Sequence, residues 1–361
     1  MHNGHAAEER PEREDPRVRT DDFDYELPSG LIAQHPAEPR DSCRLLVVDR
    51  GSGQIDHRVF TDIGEYLRPG DLLVVNDTRV LPARLKGAKL ETGGAAEVLL
   101  LRERYTGAWE CLVKPGRRIR PGAKLVFGEG LLTGLVVDVL DDSGTRVIQF
   151  QTARGSLLDA VHALGEVPLP PYVTATLDDP ELYQTIFATE ERSAAAPTAG
   201  LHFTEELLGR LEASGVGLAK VELDIGLDTF RPISEDDPRE HRIHSEHFRV
   251  PAWTADAVNA AREHGGRIVA VGTTSVRALE SAWDEPSGSV VAHEGPTELY
   301  VMPGYRFRTT DVLLTNFHVP RSTLLLLVSA FAGRELVLRA YGNAVEQRYR
   351  LLSFGDAMLI L

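Results

Sequence analysis

The 361-residue chain is 42% hydrophobic and 26% charged, enough to bury a large core and to fill two domains, and its formal net charge is -15. That acidity argues against non-specific nucleic-acid binding by the chain as a whole. The two cysteines, Cys43 and Cys111, lie far apart and lack metal-ligand spacing, so they fit a reducing cytoplasm rather than a disulfide framework.

Residues 1–22 are polar and have no apolar stretch of the kind a secretory signal needs, so a disordered arm is expected there. A polar Gln-His-Pro turn closes 23–36, and RLLVVD at 44–49 reads as a strand. Residues 59–67 have the spacing of a short helix, and 71–75 form another strand that runs into Asn76, Asp77, Thr78 and Arg79. Polar residues at the end of an apolar strand are where α/β folds place their sites, although Asp77 and Arg79 serve equally well as a salt bridge closing a turn.

From 80 to 152 the texture changes to six short strand candidates separated by Gly and Pro, with no helix between them. This predicts a small antiparallel β-barrel inserted into a larger α/β domain made of 23–79 and 153–361. The insert carries eleven Lys and Arg against eight Asp and Glu, a net +3 that leaves -18 elsewhere. Its cluster Lys114, Arg117, Arg118 and Arg120 is either a solvated face or a nucleic-acid contact.

Helical patterns resume with SLLDAVHALG, where Ser156 and Asp159 form a capping box, and a second helix is expected over 181–188. Between them lies the rigid PLPPYV at 168–173. The stretch 194–211 then places Thr198, Gly200, His202 and Phe203 in a turn ahead of a helix that Thr204 caps. It is either an ordinary connection or a site.

A strand at 218–227 is followed by His241, His244, Glu246 and His247, whose spacing does not match a helical zinc motif, so proton transfer or substrate contact is the role expected of His244 and Glu246. A capped helix is expected at 254–264. The strand RIVAVG then leads into Thr273, Thr274 and a helix bearing Arg277, a natural place for a carboxylate or phosphate, although such hydroxyls also cap helices that bind nothing. The pattern recurs where 311–316 ends in Asn316 and His318 before Ser322 caps the apolar run 323–333, which is too short for a bilayer and predicts a buried helix. A turn with Asp356 and a terminal strand close the chain. No glycine fingerprint for a dinucleotide follows any strand.

The blocks FDYELPSGLIAQHPAEPRDSCRLLVVD, VVNDTRVLPARL, PLPPYV, AAAPTAGLHFT, VGTTSVRALES, TNFHVPRSTLLLLVSAFAG and YRLLSFGDAMLI, in order from residue 23 to the C-terminus, resemble the S-adenosylmethionine:tRNA ribosyltransferase-isomerase family of queuosine biosynthesis. The resemblance implies an α/β domain with a small β-barrel. It also implies that S-adenosylmethionine is a ribosyl-donor substrate, with no permanently bound cofactor and no metal. The acceptor is tRNA bearing 7-aminomethyl-7-deazaguanine, and the products are epoxyqueuosine-tRNA, adenine and methionine. A cytoplasmic monomer without a membrane partner is expected.

On this reading His202 or His318 supplies acid/base chemistry, Thr273, Thr274 and Arg277 hold an anionic group, and Asp77 and Arg79 orient the ribose or the acceptor. Thr198, Gly200, Phe203, His244, Glu246, Asn316 and Asp356 complete the expected substrate contacts, and Lys114, Arg117, Arg118 and Arg120 contact tRNA. The chain departs from the family pattern where Asp224 and Asp228 stand in place of a histidine and a glycine. Those carboxylates either repel a phosphate or replace a catalytic base. A relative acting on a small nucleobase or amine, and a non-catalytic RNA-binding protein, are the alternatives.

Overall fold

The computed structural model describes residues 18–140, 145–226 and 231–361; Asp228 lies outside them. Among the described residues a nine-stranded sheet runs in the order His293–Thr297, Glu246–Val250, Gly217–Leu223, Leu72–Asn76, Ile268–Val271, Val312–Asn316, Ala357–Ile360, Arg44–Val48, Ile55–Val59. Its four middle strands from Gly217–Leu223 to Val312–Asn316 are mutually parallel, so their C-terminal ends share one edge. The terminal strand Ala357–Ile360 sits inside the sheet, antiparallel to Val312–Asn316 and parallel to Arg44–Val48.

Each middle strand is an apolar run because both of its faces are covered. Leu72, Val74, Ile268 and Ala270 pack on one side against the helices Ala252–Glu263, Thr273–Ser281, Thr323–Ala332 and Arg334–Glu346. Leu73, Val75, Val269 and Val271 pack on the other against Leu207 and Leu211 of the helix Glu205–Ala213. The expected buried helix is Thr323–Ala332, capped by the Ser322 hydroxyl, which accepts from the Leu325 amide. A cap of this kind contributes about 1 kcal/mol.

All six strand candidates of the middle segment form, and they close on themselves. Arg84–Lys89, Ala95–Tyr105, Ala108–Lys114, Thr145–Thr152, Leu132–Val139 and Lys124–Phe127 pair in that order, and Lys124–Phe127 returns to Arg84–Lys89. The capping-box helix Leu157–Leu164 sends Ala160 and Val161 into the core of this barrel rather than that of the sheet. Gly165 permits the join: a Cβ there would lie 1.8 Å from the Pro82 carbonyl oxygen.

Four local expectations need correction. The last residues of the expected arm, Thr20 to Asp22, belong to a 3-10 turn with Phe23, and the Thr20 amide bonds to the Asp236 carbonyl. Residues 59–67 split into the end of the strand Ile55–Val59 and a 3-10 helix, Phe60–Glu65. The helix expected over 181–188 is only the turn Pro180–Tyr183, because the Gln184 side chain bonds both the N–H and the C=O of Val80 and draws the chain into an extended path. The helix expected from 254 begins at Ala252, and the Thr254 hydroxyl donates to the Lys220 carbonyl instead of capping.

Candidate active site

The parallel strands deliver Asp224, Asn76, Gly272 and Asn316 to one edge of the sheet. Gly272 takes φ +88°, which turns the chain sharply from strand into the helix Thr273–Ser281 and opens the amides of its first turn. Above this edge lies a cavity of about 50 Å³ lined by Thr198, Thr273, Thr274, Thr315, Asn316 and His318, among others. The Thr274 hydroxyl is sealed from solvent there with no hydrogen-bond partner. The loops bearing Thr198, Thr273 with Thr274, and Asn316 with His318 therefore meet here, whereas Asp77 and Arg79 lie outside the lining.

Asn316 is fixed on three sides. Its Oδ1 accepts from the Thr198 hydroxyl at 3.0 Å, and its Nδ2 donates to His202 Nε2 at 3.2 Å and to the Leu352 carbonyl at 3.3 Å. His202 lies behind Asn316, outside the cavity lining, with Nδ1 3.2 Å from Cys43 Sγ and its ring 5.2 Å from Phe60. Because Nε2 accepts, Nδ1 carries the proton. Burial pushes His202 down to about 3 and pushes the Cys43 thiol up, so the Cys43–His202–Asn316 row is a neutral chain and not an activated thiolate.

His318 differs from His202 in lining the cavity. Its Nε2 meets the Thr315 hydroxyl at 2.9 Å, while its main chain is pinned by the hydroxyls of Tyr25 and Tyr341. Burial holds it at about 3, so it presents a neutral imidazole.

Arg277, expected beside Thr274, instead points to Glu246 and pairs with it, its Nε donating to the Leu299 carbonyl at 3.2 Å. Burial raises the Glu246 carboxyl, but Arg277 and His244, the latter at 2.9 Å, outweigh burial and hold it at about 2. Asp77 accepts from the Thr189 hydroxyl at 3.1 Å and lies 3.8 Å from Lys220, burial raising its pKa, and Arg79 pairs with Glu181 and Glu191. Neither lines the cavities described here, and the turn-closing Asp77–Arg79 salt bridge does not form either, because each side chain is drawn to partners remote in the chain. Asp356 accepts from the amides of Arg44 and Arg350, and Phe203 and Gly200 are packed in the interior. Lys114, Arg117, Arg118 and Arg120 are exposed on the barrel.

A second, larger cavity of about 500 Å³ lies between barrel and sheet, and Ile225 lines both cavities. The barrel contributes Arg102, Arg104 and Glu110, and the sheet contributes Arg192, Asp224, His244, Glu246 and His247. Nothing local in the sequence marks Arg102, Arg104, Glu110 or Arg192 as neighbours of this edge. Burial first, then Glu222, Glu246 and Glu294, raise Asp224 to about 7 against the opposing effect of Arg192. His241 turns away to Glu235, so the histidine-rich segment does not converge, and among the described residues no set of three metal-ligating side chains is grouped.

Residues 20–360 match the model of the family described as queuosine biosynthesis protein. The chain is 57% identical over 344 residues to the S-adenosylmethionine:tRNA ribosyltransferase-isomerase of Symbiobacterium thermophilum and 52% identical over 343 to that of Clostridioides difficile; each alignment covers 95% of this chain and all of the relative. It is similar, at 42% identity and a TM-score of 0.55, to the crystal structure of S-adenosylmethionine tRNA ribosyltransferase from Thermotoga maritima, with 94% of this chain and all of the other covered. With a family match running almost end to end, and with the sheet and closed barrel that the sequence blocks imply, the chain belongs to the queuosine biosynthesis protein family.

Proposed function

We propose that this protein is an S-adenosylmethionine:tRNA ribosyltransferase-isomerase, transferring and isomerising the ribosyl unit of S-adenosylmethionine onto 7-aminomethyl-7-deazaguanine in tRNA, with release of adenine and methionine. The observation that carries the site assignment is the unpartnered Thr274 hydroxyl at the open start of the helix Thr273–Ser281. A buried hydroxyl beside free amides is a donor set for an anion, and the donor substrate has one, its methionine carboxylate. A cavity of about 50 Å³ holds a group of carboxylate size and not the whole donor, so the ribosyl and adenine parts extend past Ile225 toward the larger cavity.

The sulfonium acidifies the adjacent C5′ protons, and the reaction needs a base there and a proton for departing adenine. His318 is the histidine of the cavity wall, neutral and with Nε2 held by Thr315, so it serves as a hydrogen-bond acceptor at neutral pH rather than as a cationic acid. Asn316 and Thr198 orient the donor, and His202 supports Asn316 from behind. The exposed cluster Lys114, Arg117, Arg118 and Arg120 supplies phosphate contacts for tRNA. The same reading includes a monomer acting in the cytoplasm, supported by two free buried cysteines; among the described residues no helix is long and apolar enough to cross a membrane.

The test is mass spectrometry of modified tRNA after incubation with protein and S-adenosylmethionine, with adenine measured in parallel. Epoxyqueuosine in the tRNA and stoichiometric adenine are expected. Adenine release only with a free small amine would overturn the tRNA assignment.

A further inference from the structure

Three carboxylates line the larger cavity, Glu110, Asp224 and Glu246, and of these and the neighbouring Glu222 all but Asp224 are neutralised. Glu110 pairs with Arg102 and Arg104, at 2.8 and 3.0 Å. Glu222 pairs with Arg192 and Arg249, at 3.1 and 2.9 Å. Glu246 is saturated by Arg277, His244 and the Gly226 amide. Asp224 is the exception: its carboxylate takes no hydrogen bond among the described residues, and its nearest ion-pair partner, His247 Nδ1, stands 3.9 Å away. Its backbone is nonetheless fixed, because the Asp224 amide donates to the His247 carbonyl at 2.9 Å. A rigidly held carboxylate without a hydrogen bond among the described residues, in a compartment of about 500 Å³, within the size range of small-molecule sites, is arranged for a cationic ligand.

We propose that this cavity receives the acceptor base and that Asp224 binds its protonated aminomethyl group and removes the proton that blocks the nitrogen lone pair, an assignment that rests on the ribosyl-transfer reading above. The step balances simply: the ammonium and the carboxylate become a free amine and a carboxylic acid. The nitrogen lone pair then forms the new C–N bond to the ribosyl carbon as the bond from that carbon to adenine breaks, the electron pair leaving with adenine and the surplus proton of the new secondary ammonium going to it, and the proton on Asp224 passes to solvent as the cavity reopens. The shared Ile225 brings the acceptor next to a donor seated at the strand ends.

The surrounding charges suit this role. Burial together with Glu222 of the strand that precedes it, Glu246 of the neighbouring strand and Glu294 of the next raises Asp224 into the neutral range despite Arg192, which is where a proton acceptor works best at physiological pH. His247, facing it, is lowered by burial and by Arg192, so it remains neutral and does not compete with the ammonium. Across the cavity Arg102 and Arg104 are committed to Glu110.

The experiment measures adenine release by the full-length protein with S-adenosylmethionine and tRNA bearing the aminomethyl base, for the wild type, Asp224→Asn and Asp224→Glu, from pH 5.5 to 9. Asp224→Asn is expected to lower kcat/KM for the tRNA by about 100-fold or more, with the dissociation constant for S-adenosylmethionine unchanged within about twofold, the size of a minor contact. The wild-type profile should show an acid limb near neutrality, lost in Asp224→Asn and displaced in Asp224→Glu. Asp224→Asn turnover within about twofold of wild type, with the same limb, would overturn the assignment. Should Asp224→Asn fail to fold, an undisplaced limb in Asp224→Glu overturns it equally. Wild-type protein that releases no adenine with this tRNA overturns the ribosyl-transfer reading itself, whereas normal wild-type release with an unaffected Asp224→Asn removes only the role of Asp224.

Discussion

Replacing Thr274 by Val separates binding from stability with opposite signs. The two side chains have the same shape, and the only group removed is a hydroxyl that is buried without a partner. Leaving such a group unsatisfied costs about 1–3 kcal/mol, so its removal should be neutral or stabilising by up to that amount. For a chain of this length the gain corresponds to roughly 1–2 °C in Tm per kcal/mol. On the proposed assignment the hydroxyl donates to the carboxylate of bound S-adenosylmethionine, an interaction worth about 1.5–3 kcal/mol, so the variant should bind the donor about 10- to 150-fold more weakly. Thermal melts with and without S-adenosylmethionine, combined with equilibrium dialysis, measure both quantities on one sample. The expected outcome is an unchanged or higher Tm without ligand and a smaller ligand-induced shift. A Tm lowered by several degrees, with donor affinity intact, would refute the reasoning, because the hydroxyl would then be a structural bond and not a binding group.

Acid lability follows from the two buried histidines. His202 and His318 are held near 3, below the ordinary value of about 6.5, so the unfolded chain takes up protons that the folded protein refuses, and stability falls as pH drops from about 6.5 toward 3. At pH 5 the loss is about 2 kcal/mol per histidine; urea midpoints at pH 5 and 7.5 should differ accordingly, and His202→Gln should remove one such increment. Glu280 accepts from the amides of Arg308, Thr309 and Thr310 and from the hydroxyls of Thr309 and Tyr305. Glu280→Ala strands three of those amides and should cost at least about 3 kcal/mol in urea unfolding. Changing Lys114, Arg117, Arg118 and Arg120 together to Ala should weaken tRNA binding and flatten its salt dependence by roughly 0.9 in log–log slope for each phosphate no longer neutralised, with donor affinity unaltered; an unchanged slope would place the tRNA path elsewhere.

The elements legible in the sequence are those whose causes are local. The barrel strands announce themselves by alternation and by Pro-Gly turns, and the caps at Ser156, Thr204 and Ser322 each bond the amide three residues on. His202 and His318 look equivalent because each precedes a capped helix. What distinguishes them is remote in the chain: Cys43, 159 residues away, closes over His202, while the wall around His318 stays open to the cavity. Gln184 overrides a helical pattern through Val80, 104 residues distant. Arg277 is drawn from its expected anion to Glu246 for the same kind of reason, a long-range partner that no spacing rule contains.

That last displacement bears on how the donor is held. S-adenosylmethionine carries a sulfonium close to its carboxylate-bearing chain, so a free guanidinium at the carboxylate would also repel the reacting centre. Arg277 is one helical turn beyond Thr274, where side chains approach to about 6 Å, and at an effective dielectric near 20 an uncompensated charge at that distance from the sulfonium would cost about 3 kcal/mol. Pairing Arg277 with buried Glu246 offsets that field, and on the proposed assignment it leaves neutral donors, the Thr274 hydroxyl and the first-turn amides, for the carboxylate. The other side of Ile225 has the complementary arrangement, with Asp224 the one lining carboxylate that no arginine pairs and no hydrogen bond holds among the described residues. On the proposed assignments the site keeps uncompensated positive charge away from the sulfonium and reserves a negative charge for the amine, which is the distribution required to join a cationic donor to a cationic acceptor.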